Sequence, residues 1–219
     1  NFMSNIKKIL IRGVNWIGDA VLTLPAVSAV RDAFPHAHIS LLVKPWVADI
    51  FKGNTDINEI LLYEDKFKGI AGKLKLAKIL KARGFDTAIL LQNAFDAAFI
   101  TWLAGIPERI GYSRDYRRLL LTKSIPVRKT GDKGQGTRGK GQEKEHHVYY
   151  YLNLLKNALN IEPANIEPAN IEPLIYLTEE ETQLAKNLLN QSLIPNPQTP
   201  LIGINPGAAY GSAKRWMPE

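Results

Sequence analysis

The sequence has no cysteine and no apolar run that approaches the length of a membrane span. Without cysteine there can be neither disulfides nor thiolate chemistry, and this composition is compatible with a reducing cytoplasm. A helix that crosses a bilayer needs about 20 consecutive, mainly apolar residues. Histidine is scarce, and His146 and His147 are adjacent, so they cannot share one helical face as metal ligands at i and i+4 do. We therefore predict a cytoplasmic protein without a metal centre.

Acidic residues are fewer than basic ones: 21 Asp and Glu stand against 28 Lys and Arg, which gives a net charge of +7. Such a charge occurs on many soluble proteins, and it also suits an anionic substrate, an anionic membrane surface or a nucleic acid. Much of it falls in residues 128–147, which we predict to be a mobile loop because they have little apolar side chain to bury. The loop lacks an aromatic residue on which a base could stack, so nucleic acid is not a predicted partner.

Short, nearly continuous apolar segments alternate with helix-periodic segments in the first half of the chain. Parallel strands that are buried on both faces have this apolar composition. The predicted strands are Ile6–Arg12, His38–Val43, Ile57–Tyr63 and Thr87–Leu91. The predicted helices are Asp19–Phe34, Pro45–Phe51, Lys73–Arg83, Phe95–Ala104 and His147–Leu159. The alternation predicts an α/β fold with a doubly wound, Rossmann-like parallel sheet.

A pentapeptide repeat, NIEPANIEPANIEP, covers Asn160 to Pro173. Its evenly spaced prolines exclude a regular helix and favour an extended linker. We therefore predict a domain over 1–159, a linker over 160–177 and a second domain from 178. After the linker come one predicted helix, introduced by the capping-box pair Thr178 and Glu181, and one predicted strand, Leu201–Asn205. These elements cannot close a core, so we expect 178–219 to be the truncated start of that domain.

The first predicted strand leads into RGVNWIGDAVLTLP, residues 12–25, which is similar to a phosphate-binding loop. Gly13 and Gly18 have the spacing of the first two glycines of G-x-x-x-x-G-K-[ST]. However, Asp19 replaces the lysine, and Ala20 replaces the hydroxyl residue that would hold magnesium. A carboxylate here lies in the crevice where open α/β sheets bind ligands. It is either a catalytic group or a residue that favours the start of a helix, as a cap or through the helix dipole.

Three segments together carry a family resemblance: RGVNWIGDAVLTLPAVSAVRDAFP, RIGYSRDYRRLLLT and PGAAYGSAKRWMPE. They resemble the ADP-heptose:lipopolysaccharide heptosyltransferases of glycosyltransferase family 9, and among these the type II enzymes most. The resemblance implies a GT-B fold, in which two Rossmann-like domains face each other across a cleft. It also implies the inverting transfer of L-glycero-D-manno-heptose from ADP-heptose to a heptose of the lipopolysaccharide inner core, with no metal or other cofactor.

The resemblance makes Asp19 the expected general base, which would take a proton from the acceptor hydroxyl. Asn15 and Trp16 suit sugar binding, although Trp16 could equally anchor a core. Gly18 either lets the backbone approach the acceptor sugar closely or permits a tight turn.

The third segment supplies the cation that the first loop lacks. Lys214 matches the family's phosphate-contacting lysine and would stabilise the charge on the departing ADP. Without the resemblance, this lysine would be interpreted as a solvated surface residue. The backbone at Gly207 and Ala208 and the hydroxyl of Ser212 are expected to bind the diphosphate.

The expected acceptor is a Kdo-lipid A core that carries heptose, reached at the cytoplasmic face of a Gram-negative inner membrane. Arg114, Arg117 and Arg118 either face its anionic groups or form a solvated surface. We expect the basic loop to draw the enzyme to the anionic membrane, to which it would bind peripherally. One alternative is another core heptosyltransferase, such as type I. An alternative of a different class is a non-catalytic nucleotide- or nucleic-acid-binding domain, for which binding would depend steeply on salt.

Overall fold

The computed structural model describes residues 6–127, 147–161 and 175–191. The chain divides into two compact units, Asn1–Leu177 and Thr178–Glu219. The predicted basic loop, most of the pentapeptide repeat and the predicted strand Leu201–Asn205 lie outside the described residues. That 178–219 begins a second Rossmann-like domain stays a prediction. Among the described residues, no helix combines the length and hydropathy that a membrane span requires.

The first unit contains a six-stranded parallel sheet with the order β3-β2-β1-β4-β5-β6. The strands are β1 Lys8–Arg12, β2 His38–Val43, β3 Glu59–Leu62, β4 Thr87–Leu90, β5 Glu108–Tyr112 and β6 Lys123–Ile125. The predicted doubly wound sheet is therefore confirmed, and β1 to β4 lie within the predicted ranges. The last two strands were not predicted, because β5 begins with charged residues and β6 has only three residues.

The helices of this unit are α1 Ile17–Ala33, α2 Pro45–Ala48, α3 Gly69–Arg83, α4 Phe95–Leu103 and α5 His147–Leu159. The first helix ends before Pro35, as predicted. Gly84 ends α3 in the left-handed conformation with φ of 66°, which glycine adopts without the steric cost of a Cβ. In the second unit, α6 covers Glu179–Gln191. Its predicted capping box is confirmed, since Glu181 N–H donates to Thr178 Oγ1 at 3.1 Å and Thr178 N–H donates to the Glu181 carboxylate at 2.9 Å.

Alternate side chains of the central strands enter two separate cores, one on each face of the sheet. Ile9 and Ile11 of β1 pack in the core that α1 and α5 cover. Leu10, between them, packs in the core that α3 and α4 cover. This alternation follows from the two-residue repeat of a strand. Both faces are therefore covered by helices, which leaves the carboxyl edge of the sheet as the place where loops converge.

Candidate functional site

The order of the strands reverses between β1 and β4, which are neighbours in the sheet although α1, β2, β3 and α3 separate them along the chain. The loops that follow these two strands are joined by their backbones. The N–H groups of Leu91 and Gln92 donate to the carbonyl of Arg12 at 3.1 and 3.3 Å. In open α/β sheets, ligands bind in the crevice at such a reversal. The candidate site is therefore built on residues 13–19 and 91–94.

The two glycines of the first loop, Gly13 and Gly18, differ in the space that surrounds them. A Cβ at Gly13 would lie 2.5 Å from Val43 Cγ1, so close packing on β2 requires glycine there. Gly18 is the second residue of α1, its φ is not positive, and a Cβ there would meet no atom within 4 Å. The interpretation that Gly18 permits a tight turn is therefore wrong. The open space in front of it leaves room for a ligand, and its predicted approach to the acceptor stays a prediction.

Asp19 is half-buried and is the third residue of α1. The N-cap position is occupied by Trp16 without a side-chain capping bond, so Asp19 is not the cap of this helix. A carboxylate in the first turn still interacts favourably with the helix dipole. With the residues that the structure describes, the Asp19 carboxylate makes no hydrogen bond or ion pair. Its oxygens are therefore available to a ligand.

Helix α5 lies against α1 and brings two tyrosines towards this turn. Tyr151 is buried, and its burial together with the negative charge of Asp19 raises the pKa of its hydroxyl. Tyr150 packs against Tyr151 edge to face, with the ring centroids 5.5 Å apart. The Asp19 carboxylate thus has the buried Tyr151 on one side and open space at Gly18.

The other two residues predicted in the first loop lie beside Asp19 at the surface. Trp16 is 60% exposed, so it is not a core anchor. Asn15 is half-buried, and its carbonyl accepts a hydrogen bond from Trp46 Nε1 at 3.0 Å. Trp46 is itself more than half exposed. Two indoles therefore flank the loop, and flat apolar rings beside an amide suit a sugar ring. Sugar binding by Asn15 and Trp16 stays a prediction.

Two buried cations lie at the carboxyl ends of β1 and β2, and sequence reasoning missed both. Arg12 donates to the carbonyls of Gly13 and Leu42 at 2.6 and 3.1 Å, and burial lowers its pKa to about 10. Lys44 Nζ lies 4.2 Å from the ring centroid of Tyr63, and burial also lowers the pKa of this lysine. The guanidinium of Arg12 lies 5.0 Å from the centroid of the same ring. The sequence signal that could have identified these buried cations is a charged residue at the end of an otherwise apolar strand.

Arg117 corrects the prediction that this arginine faces an anionic ligand or solvent. It is completely buried and donates to the carbonyls of Tyr112 and Gln92 at 2.7 and 2.5 Å. It also donates to Asn93 Oδ1 at 2.9 Å, while Asn93 Nδ2 donates to the Tyr150 hydroxyl at 2.7 Å. Arg117 therefore holds the loops after β4 and β5 in place and connects them to α5. Arg114 and Arg118 are exposed, which agrees with either alternative, an anionic ligand or a solvated surface.

The predicted diphosphate site cannot be placed. Lys214, Gly207, Ala208 and Ser212 all lie outside the described residues. The structure therefore brings together Asn15, Trp16, Gly18 and Asp19 on one turn. In the part of the chain that is described, no group of three or more His, Asp or Glu residues is arranged to hold a metal ion.

Comparison with known proteins identifies the family of the chain. Residues 73–219 match the model of glycosyltransferase family 9 (heptosyltransferase). The chain is 26% identical over 212 residues to lipooligosaccharide heptosyltransferase 2 of Haemophilus ducreyi, which covers 95% of this chain and 56% of that protein. It is 24% identical, with the same coverage, to lipopolysaccharide heptosyltransferase 2 of Escherichia coli. The chain therefore spans about half the length of the curated relatives it matches.

Two solved structures are similar over almost the whole chain. The glycosyltransferase family 9 protein of Veillonella parvula matches with a TM-score of 0.77 and 23% identity, over 96% of this chain and 56% of that one, and this likeness concerns the fold. The ADP-heptose lipopolysaccharide heptosyltransferase II of Escherichia coli matches with a TM-score of 0.70 and 25% identity, over 95% of this chain and 57% of that one. These likenesses agree with the predicted partial GT-B fold.

Proposed function

The chain belongs to glycosyltransferase family 9, and from this premise we propose that the protein is an inverting heptosyltransferase of the type II class. Its donor is ADP-heptose, and its acceptor is a heptose of the Kdo-lipid A inner core. Its relatives are named heptosyltransferase 2 or II, one of them with ADP-heptose in its name, which supports this choice of donor and acceptor. The protein works at the cytoplasmic face of the inner membrane, to which it binds peripherally.

The proposal rests on the position of Asp19 and on its lack of bonding partners among the described residues. Its carboxylate lies at the reversal of the sheet order, beside open space at Gly18, and makes no hydrogen bond or ion pair with the described residues. A carboxylate that another group does not occupy can accept the proton of a bound hydroxyl. Asp19 is not the N-cap residue of α1, so capping does not account for a carboxylate at this position.

In the proposed reaction, Asp19 takes the proton of the acceptor hydroxyl while the hydroxyl oxygen forms a bond to the anomeric carbon of the heptose. The bond from this carbon to the diphosphate oxygen breaks, and ADP leaves with the electron pair. Attack from the face opposite the leaving group inverts the anomeric centre. We propose that Lys214 stabilises the negative charge on the departing diphosphate and that Gly207, Ala208 and Ser212 bind its oxygens, so that the reaction needs no metal or other cofactor.

The test measures ADP release and the mass of the acceptor, with the protein at its native length, ADP-heptose and a Kdo-lipid A acceptor that carries one heptose. We expect wild type to add one heptose. We expect Asp19→Asn to lose about 10²- to 10⁴-fold in turnover while it still binds ADP-heptose. Asp32→Asn is the matched control, because Asp32 is an exposed carboxylate in the last turn of the same helix.

Each other outcome has a defined meaning. Full activity of Asp19→Asn would overturn the role of Asp19 as the base. Transfer only to the heptose-free acceptor would reassign the protein to the preceding step of core synthesis. Absence of transfer together with salt-dependent binding of RNA or DNA would favour the non-catalytic alternative.

A further inference from the structure

The outer faces of α3 and α4 form a surface that the proposed reaction does not use. We propose that this α3–α4 surface docks on an anionic lipid bilayer. The inference deepens the proposed function, on which it rests for the membrane location of the acceptor, by naming the part of the protein that meets the membrane. Charge, exposed apolar side chains and the arrangement of the two helices support it independently.

Helix α3 has basic residues and no acidic ones. Its basic residues are Lys73, Lys75, Lys78, Lys81 and Arg83. Lys73 is paired with Asp96 at 2.6 Å and Arg83 with Glu59 at 2.5 Å. The other three lysines are exposed and form no ion pair with the residues that the structure describes. A helix on an ordinary solvated surface carries both signs of charge, whereas a one-signed face attracts a surface of the opposite sign.

The solvent-exposed half of α3 also carries large aliphatic side chains. Ile70 is 75% exposed, Leu74 is 51% exposed and Ile79 is 38% exposed. They are not part of the core, which Leu76, Ala77 and Leu80 of this helix enter. Aliphatic side chains between lysines are typical of a helix that lies in a membrane interface.

Helix α4 adds an aromatic stripe beside them. Phe95, Phe99 and Trp102 lie at i, i+4 and i+7 and therefore share one side of the helix. Their rings form a continuous stack with centroid separations of 5.9 and 6.1 Å. Phe95 and Trp102 are each almost half exposed. Tryptophan is enriched where hydrocarbon meets headgroups, because its ring is apolar and its N–H is polar.

The two helices form one continuous surface. They pack side by side on the same face of the sheet, and the Lys73–Asp96 pair links them. The turn that follows β5 contacts α4 and exposes Tyr116 and Leu119 almost completely, with Arg118 between them. Apolar side chains therefore recur from α3 across α4 to this turn, and cations lie on α3 and at Arg118 on either side of α4.

Lipid fits this composition better than a protein partner does. Protein interfaces are depleted in lysine, whereas anionic headgroups gain from each lysine that approaches them. Near an anionic membrane each Lys contributes about fivefold in partitioning, so the three exposed lysines together contribute about a hundredfold. The aromatic and aliphatic side chains then insert among the headgroups and add a contribution to the binding free energy that salt does not screen.

The test is co-sedimentation of the protein with vesicles, in the absence of donor and acceptor. Wild type is expected to bind vesicles of phosphatidylglycerol and phosphatidylethanolamine, to bind less at high salt, and not to bind pure phosphatidylcholine vesicles. Lys75→Glu/Lys78→Glu is expected to lower partitioning by at least about 25-fold. The control is Lys52→Glu/Lys156→Glu, which changes the net charge equally but lies on the side of α1 and α5 and is expected to bind like wild type.

A second measurement probes the aromatic stripe. Lipids with brominated acyl chains are expected to quench the tryptophan fluorescence of the bound protein, and Trp102→Phe is expected to remove most of this quenching. Equal loss of binding in both charge-reversal variants, or quenching that does not depend on Trp102, would overturn the proposal. So would a solution dimer that Lys75→Glu/Lys78→Glu dissociates.

The two proposals can fail separately. The charge-reversal variants leave the candidate site untouched, so their activity on a water-soluble acceptor fragment is expected to equal that of wild type. Vesicle binding without transferase activity would refute the proposed function alone. Transferase activity without vesicle binding would refute the α3–α4 surface alone.

Discussion

The two helical layers of the first unit are alike on their inner faces and different on their outer faces. Leu154 and Leu155 of α5 are completely buried on one side of the sheet, as Leu80 of α3 is on the other. Outside, α1 carries acidic and basic residues together, whereas α3 carries basic residues and exposed aliphatic ones. The inner faces therefore determine the stability of the unit, whereas the outer faces determine which ligands or surfaces each layer can bind. Substitutions on the two kinds of face should therefore have separate effects.

The largest expected effect is on an inner face. Leu155→Ala leaves a cavity in the core under α1 and α5, and we expect it to lower the free energy of unfolding by about 2–5 kcal/mol. Leu74→Ala, on the outer face of α3, is the matched control and should change stability by no more than about 0.5 kcal/mol. Urea denaturation measures both. Similar losses in the two variants would refute the division between inner and outer faces.

Arg117 belongs to neither layer alone, because its hydrogen bonds connect the two layers. It follows β5 in the turn beside α4, and through Asn93 it is connected to Tyr150 of α5. Arg117→Met leaves buried carbonyl groups without donors, and we expect a loss of about 2–3 kcal/mol in the free energy of unfolding. The exposed neighbour provides the control variant Arg118→Met, which should be close to neutral. If Arg117→Met is equally neutral, the network does not hold the loops.

The smallest expected effect concerns the ion pair between β3 and α3. Partial burial opposes ionisation of Glu59, but hydrogen bonds from Arg83 and Ser40 and the charge of Arg83 outweigh it, so the pKa of Glu59 lies below its ordinary value of 4.5. A lowered pKa in the folded state stabilises above pH 4.5, and this contribution is lost as the pH falls through the folded-state pKa.

We therefore expect Glu59→Gln to lower the free energy of unfolding by less than about 1 kcal/mol at pH 7, since the pair is partly exposed. At acid pH, where the carboxyl is protonated in the wild type, we expect the substitution to leave the free energy of unfolding unchanged. Urea midpoints of wild type and Glu59→Gln, measured from pH 7 down to pH 3, check this. A difference that grows as the pH falls would contradict the assigned direction of the pKa.

The sheet was predictable where strands are apolar throughout, because burial on both faces excludes polar residues. It was not predictable at β5 and β6, where charged ends and short length remove that signal. The location of Asp19 at the carboxyl edge of the sheet was predictable from the glycine turn after a buried strand, whereas its role as the base follows from the resemblance and stays a prediction. The grouping of Arg12, Lys44 and Tyr63 was not, because three separate strand ends become neighbours only after the sheet order is known.

The position of β3 at the edge of the sheet has a consequence for solubility. An edge strand offers unpaired backbone groups to any other extended chain, and long apolar edges seed aggregation. Here β3 has four residues and β6, at the other edge, has three. Each begins with a charged residue, Glu59 and Lys123 respectively. The short length and the charged first residue of each edge strand thus disfavour the addition of strands from neighbouring molecules at both edges of the described sheet.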